Sequence, residues 1–179
     1  CEAVPILIRR IARVIDPGFV PKVLPPFRVP ATRLFKEGEV ERSIELAARK
    51  LEGRGGVLIV VNRDWENCCP AEQGPVLLKR AIVTRGDLPI AVVLAKREFE
   101  AWFLAAAESL RGQCDLPDNL EPPIDPETIR GTKEWLSHRM PPGRSYAETT
   151  DQPVLTAAFD MEAARRADSF DKCYREVKT

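Results

Sequence analysis

VLIVV (57–61) and PIAVVLA (89–95) are short runs of aliphatic, largely β-branched residues with no polar alternation. Such runs read as strands buried on both faces, as in the interior of a parallel sheet. Between them, AEQGPVLLKRAIVTRG (71–86) predicts a helix, with Gly74 and Pro75 placing its start near residue 75. After the second run comes EFEAWFLAAAESLRG (98–112), where Phe99, Trp102, Phe103, Ala106 and Leu110 form an apolar stripe at helical spacing. Strand, helix, strand, helix in this rhythm implies right-handed βαβ crossovers and an α/β fold.

Outward from this unit, AVPILIRRIARVID (3–16) predicts an apolar-rich helix that stops at Asp16, Pro17 and Gly18. Prolines at 17, 21, 25, 26 and 30 make residues 17–30 an extended loop. GEVERSIELAARKLEG (38–53) lines Val40, Ile44, Ala47, Ala48 and Leu51 along one face, and Gly53, Gly55 and Gly56 end it. Beyond residue 112 prolines return, with helices expected near PETIRGTKEWLSHRM (126–140) and MEAARRADSFDKCYREV (161–177). The expectation is a single domain over 1–179 with a helical carboxyl-terminal part at 112–179.

The chain has 179 residues, enough for one domain with a core. It balances 27 Lys and Arg against 27 Asp and Glu, so no global charge draws it to DNA or an anionic membrane. The balance is local: residues 1–60 carry 11 basic against 7 acidic side chains, and each later third has a net charge of −2. No apolar run approaches the ~18 residues needed to span a bilayer, and no signal-peptide layout is visible, so a cytoplasmic domain is expected. Five scattered cysteines do not make a disulfide framework and read as reduced thiols. The start at Cys1 instead of Met reads as processing or truncation.

Ligands of open α/β sheets bind beyond the carboxyl ends of the strands. The first strand is followed by Asn62, Arg63, Asp64, Trp65 and Glu66, the second by Lys96, Arg97, Glu98, Phe99 and Glu100. Both strands thus deliver acidic oxygens to one edge, which is what a hard cation such as Mg²⁺ requires. The competing reading is that acidic residues ahead of a helix cap free N–H groups and complement its dipole. Glu98 and Glu100, if both helical, would lie about 200° apart around the axis and could hardly share an ion. One of them therefore precedes the helix, with Glu98 the first choice for the metal and Glu100 the second.

Lys96, Arg97, Lys133 and Lys172 are the basic groups expected nearest a phosphate. For Lys96 and Arg97 the alternative is a salt bridge to the same carboxylates. Trp65, in the acidic loop, could stack on a base, whereas the stripe position of Trp102 makes it core. His138, the one histidine, sits on a candidate surface helix, and no G-x-S-x-G elbow accompanies it. Cys68-Cys69 lacks a C-x-x-C partner. Gly53, Gly55 and Gly56 precede a strand, so they form a turn and not a phosphate loop. Neither a Walker motif nor a dinucleotide fingerprint is present.

KREFEAWFLAAAESLRG (96–112) resembles the EFEAW-type signature of a prokaryotic family, the domain of unknown function 4276, within the Toprim-like group of metal-dependent nucleases and topoisomerase domains. AVPILIRRIA (3–12), VLIVVNRDWENCCPAE (57–72), PETIRGTKEWL (126–136) and ADSFDKCYREV (167–177) resemble it in order, so the likeness covers nearly the whole chain. It implies a Toprim-like parallel sheet flanked by helices and an acidic site supported by Mg²⁺ or Mn²⁺. In that group a glutamate follows the first strand and a D-x-D pair follows a later one. Asn62-Arg63-Asp64 takes the D-x-D place: Asp64 matches, Asn62 departs and offers only a neutral oxygen, and Glu66 compensates. The family's opening strand and first glutamate would lie ahead of Cys1-Glu2. The resemblance also implies an ATPase partner in phage defence.

The resulting expectation is a Mg²⁺-dependent nuclease. Asp64, Glu66, Glu98, Glu100 and Asn62 hold metal; Glu98, Asp64 and Lys96 carry the chemistry; Arg97, Lys133, Lys172 and Trp65 meet nucleic acid. The alternative, from a different class, is a non-catalytic regulatory or docking subunit with a degraded Toprim-like site.

Overall fold

The structure is a computed structural model that describes residues 2–53, 55–62 and 69–178. They form two compact units, Phe27–Lys96 and, from two parts of the chain, Cys1–Pro26 with Arg97–Thr179. None of the described helices is long and apolar enough to cross a membrane.

The unit Phe27–Lys96 is α/β. It runs through α2 (Ala31–Leu34), α3 (Glu39–Leu51), β1 (Val57–Asn62), α4 (Pro70–Thr84) and β2 (Ile90–Ala95). The two strands pair in parallel, from Val57 opposite Ile90 to Asn62 opposite Ala95. Parallel neighbours need a long crossover, and α4 provides it. The core gathers Leu34, Val40, Val61, Leu77, Val92 and Leu94. Gly56 marks where the strands begin side by side, because a Cβ there would lie 2.9 Å from the Pro89 carbonyl oxygen. Arg80 ties α4 to α3 through a two-pronged ion pair with Glu41, both contacts at 2.7 Å.

Two details of this unit differ from the sequence expectation. β2 is buried from Val92 to Ala95, but Val57 to Val60 of β1 are only half-buried. Among the described residues each strand has one sheet neighbour, the other strand. Helix α4 starts at Pro70, not near residue 75. Pro70 needs no N–H in the first turn, where Glu72 and Gln73 donate to the Cys69 carbonyl at 3.0 and 3.1 Å. Pro75 then omits one helical bond without stopping the helix.

The other unit is helical: α1 (Ala3–Ile15), α5 (Ala101–Ala105), α6 (Thr132–Ser137), α7 (Asp151–Ala158), α8 (Met161–Ala164) and α9 (Asp168–Lys178), with 3-10 turns at Ala107–Leu110, Gln113–Asp115 and Pro126–Thr128. Its centre is a run of touching rings. Phe99 meets Trp102 at 4.5 Å between centroids, Trp102 meets Phe170 at 5.4 Å, Phe170 meets Phe159 at 5.4 Å, and Phe159 meets Phe103 at 5.7 Å. Helix α1 docks by Leu7 and Ile11, and its Arg10 donates to the carbonyls of Thr156 and Phe159, both at 2.7 Å. A cation on the last carbonyls of α7 also complements that helix's dipole.

The helix expected over 98–112 is shorter than its stripe suggests. Ala106 leaves helical geometry at φ −111°, ψ 26°, and the Ser109 hydroxyl donates to the Ala106 carbonyl at 2.6 Å. The flanks of the stripe are buried too, with Ala101, Leu104, Ala105 and Ala107 at 2% exposure or less. The segment 126–140 is divided by Gly131 at φ 63°, and 161–177 is divided into α8 and α9. Neither α7 nor the single turn α2 is expected from the sequence pattern. Asp151 and Pro153 at the start of α7 are ordinary helix-opening residues, but they lie in a polar, proline-bearing stretch without helical spacing.

Candidate functional site

Leaving β2, the backbone turns through Arg97, which holds φ 70°, a left-handed conformation that a long side chain seldom adopts. Outliers of this kind concentrate where a site over-determines the backbone. The turn continues through Glu98 to Glu100, and Ala101 donates back to the Glu98 carbonyl at 3.1 Å. Both glutamates therefore precede α5, and the obstacle of opposite helix flanks disappears.

Glu98 meets α6. Its Oε2 accepts from the Thr132 hydroxyl at 2.7 Å, and its Oε1 lies 3.1 Å from Nζ of Lys133. The same Nζ is 3.2 Å from Oε2 of Glu148. Glu100 is fully buried, at 0% exposure. Its Oε1 accepts from the Tyr146 hydroxyl and from Nε2 of Gln152, each at 2.9 Å. Its Oε2 is buried with no hydrogen-bond partner among the described residues.

Local structure fixes these side chains. Gly131 at φ 63° opens α6, and a Cβ there would stand 2.8 Å from Oε2 of Glu134. Glycine thus permits the tight entry that puts Thr132 and Lys133 in the first turn. The Ser137 hydroxyl donates to the Lys133 carbonyl at 2.8 Å and accepts from the Tyr146 N–H at 3.0 Å, joining α6 to the loop that carries Tyr146 and Glu148. Asp151 closes that loop by accepting from the Ala147 N–H at 2.7 Å and from Arg144 at 2.6 Å. Burial works against the Asp151 charge, but Arg144 and that N–H outweigh it and hold its carboxyl below the usual range.

Charges in the site are strongly coupled. Burial raises the pKa of Glu100, against the opposing ammonium of Lys133 and the donors Tyr146 and Gln152. Burial alone would lower that of Lys133, but Glu100, Glu98 and Glu148 together hold it well above its ordinary value, so the ammonium persists at any working pH. Burial and the neighbouring Glu100 push the Tyr146 phenol far upward, which keeps it a neutral O–H donor.

Of the residues picked from sequence, Glu98, Glu100 and Lys133 come together here. Asp64, Glu66 and Trp65 lie outside the described residues. Asn62 is the exposed last residue of β1, and Lys96 is half-buried just past β2. Lys172 is half-buried on α9, and no hydrogen bond or ion pair among the described residues joins it to Glu98. Trp102 is core, with its indole N–H donating to the Ser169 hydroxyl at 2.8 Å. His138 is exposed at the end of α6. Thr132, Tyr146, Glu148 and Gln152 also belong to the site, and they carry no motif or spacing signal in the sequence.

As they stand, no three His, Cys, Asp or Glu side chains among the described residues converge closely enough to hold a metal ion. No protein-family model, curated protein or solved structure matches the chain.

Proposed function

We propose that this protein is a Mg²⁺- or Mn²⁺-dependent nuclease that hydrolyses phosphodiester bonds of nucleic acid. The observation that carries the reading is the buried carboxylate of Glu100, which offers an unpartnered oxygen two residues from Glu98. A desolvated, half-satisfied carboxylate is costly in a purely structural role, and an oxygen ligand set is what a hard cation takes. Mg²⁺ is commonly held by one or two carboxylates with water completing its shell, and Glu98 and Glu100 would be those two. The bound ion would supply Lewis acidity and a more acidic water.

The chain's own groups do the rest. Hydrolysis forms one P–O bond from water, breaks the ester P–O bond and leaves a proton on the departing oxygen. Negative charge grows on the phosphoryl oxygens meanwhile, and the persistent ammonium of Lys133 is suited to neutralise it. Tyr146 and Gln152 hold Oε1 of Glu100, so Oε2 keeps its direction. The Toprim-like identity and the ATPase partner in phage defence belong to the same proposal and rest on the sequence resemblance.

The second reading, a non-catalytic docking or regulatory subunit, is favoured by one observation: Lys133 already satisfies Glu98 and Glu148 as a resident cation. Titration calorimetry with Mn²⁺, beside cleavage assays on single- and double-stranded DNA and RNA, separates the two. The nuclease reading expects Mn²⁺ binding and metal-dependent cleavage, both lost in Glu98→Gln and Glu100→Gln. Cleavage unchanged in both variants, or no Mn²⁺ binding with or without nucleic acid, overturns it in favour of docking.

A further inference from the structure

We propose that Lys133 is an internal cation that blocks the Glu98 and Glu100 carboxylates against a divalent ion until a nucleic-acid phosphate draws it away. The inference rests on the nuclease reading and adds its regulation. One ammonium serves three carboxylates: Nζ touches Glu98 at 3.1 Å and Glu148 at 3.2 Å, and Glu100 lies within reach of its field. With Thr132 on the other oxygen, both oxygens of Glu98 are engaged. Oε2 of Glu100, on a fully buried side chain two residues from Glu98, has no hydrogen-bond partner among the described residues, which points to a ligand beyond the lysine.

Charge and mobility give the device its direction. Nζ sits between the Glu98 and Glu148 carboxylates, and its withdrawal removes the positive charge that opposes an arriving cation. The Lys133 side chain is 32% exposed, so a phosphate can approach from solvent. Its flexible four-carbon stem lets the head move between carboxylate and phosphate partners without moving α6. Phosphate binding thereby favours metal binding, and the coupling must run equally in reverse.

The test reads Mn²⁺ affinity from the free-ion electron paramagnetic resonance signal. It uses the full chain, with and without a short phosphorothioate single strand that resists cleavage. The expected result is that Lys133→Met binds Mn²⁺ about tenfold more tightly than wild type, within the 5- to 150-fold range of such couplings. The oligonucleotide should tighten Mn²⁺ binding to wild type but not to Lys133→Met. Glu148→Gln, which loosens the lysine without touching Glu98 or Glu100, should shift affinity in the same direction and serves if Lys133→Met fails to fold. Equal or weaker Mn²⁺ binding in a folded variant overturns the blocking role while leaving the nuclease reading intact. Absence of Mn²⁺ binding in wild type and variants, with and without the oligonucleotide, overturns both.

Discussion

Replacing Glu100 by glutamine should raise the stability of the fold and, on the proposed function, remove divalent-ion binding. The amide keeps the shape and an oxygen for Tyr146 and Gln152 to donate to, both now at 2.9 Å. It removes a charge buried with one oxygen unpartnered. Leaving a buried polar group unsatisfied costs about 1–3 kcal/mol, and more when the group is charged. The loss of attraction to Lys133 and the new buried N–H₂ offset part of that gain. The net should be on the order of 1 kcal/mol, or about 2–4 °C in Tm for a chain of this size. The pH dependence has a definite sign. Burial raises the folded-state pKa of Glu100, so its penalty is absent below the unfolded carboxylate value of roughly 4.3 and accumulates as pH rises through the folded value. Thermal unfolding followed by circular dichroism should show the variant more stable near pH 8 and matched with wild type near pH 4. A variant less stable than wild type near pH 8 would refute the reasoning, because the carboxylate would then be a structural anchor for Tyr146, Gln152 and Lys133.

Three further outcomes follow from the packing. Arg10→Met forfeits two charge-assisted bonds to the end of α7 and a guanidinium 5.1 Å over the Phe159 ring; urea unfolding should show a loss of about 3 kcal/mol. Phe159→Ala opens a cavity among Phe103, Phe170 and Arg10, and the same measurement should register about 3–5 kcal/mol. Gly131→Ala strains a left-handed residue and crowds Glu134, which should cost about 1–2 kcal/mol in the same urea measurement. Unaltered stability in Gly131→Ala would show that α6 is not set by this glycine.

Much of the local architecture is legible in the sequence. The runs at 57–61 and 89–95 became paired parallel strands because β-branched residues favour extended backbone wherever they can be half-covered. The periodic segments at 3–16 and 38–53 became α1 and α3 with ends shifted by at most two residues, since an apolar stripe and a breaker are both local signals. The same logic overreached at 98–112. A stripe reports which residues are apolar, not whether the remaining faces are covered as well, and here Ala101, Leu104, Ala105 and Ala107 are buried off the stripe and the α-helix gives way to a 3-10 turn at Ala107.

The candidate site divides in the same way. Composition and order alone determined that two glutamates follow the second strand, that a lysine sits in a later helix, and that no histidine or cysteine scheme has its partners. Only tertiary structure decided that Lys133 meets Glu98 across 34 intervening positions of chain and that Tyr146 and Gln152 close over Glu100. Only tertiary structure, too, left one oxygen of that carboxylate buried without a hydrogen-bond partner among the described residues. Sequence periodicity reports what a residue's near neighbours require of the backbone. A buried charge is defined by distant side chains that arrive only when the chain folds, and its solvation depends on all of them at once.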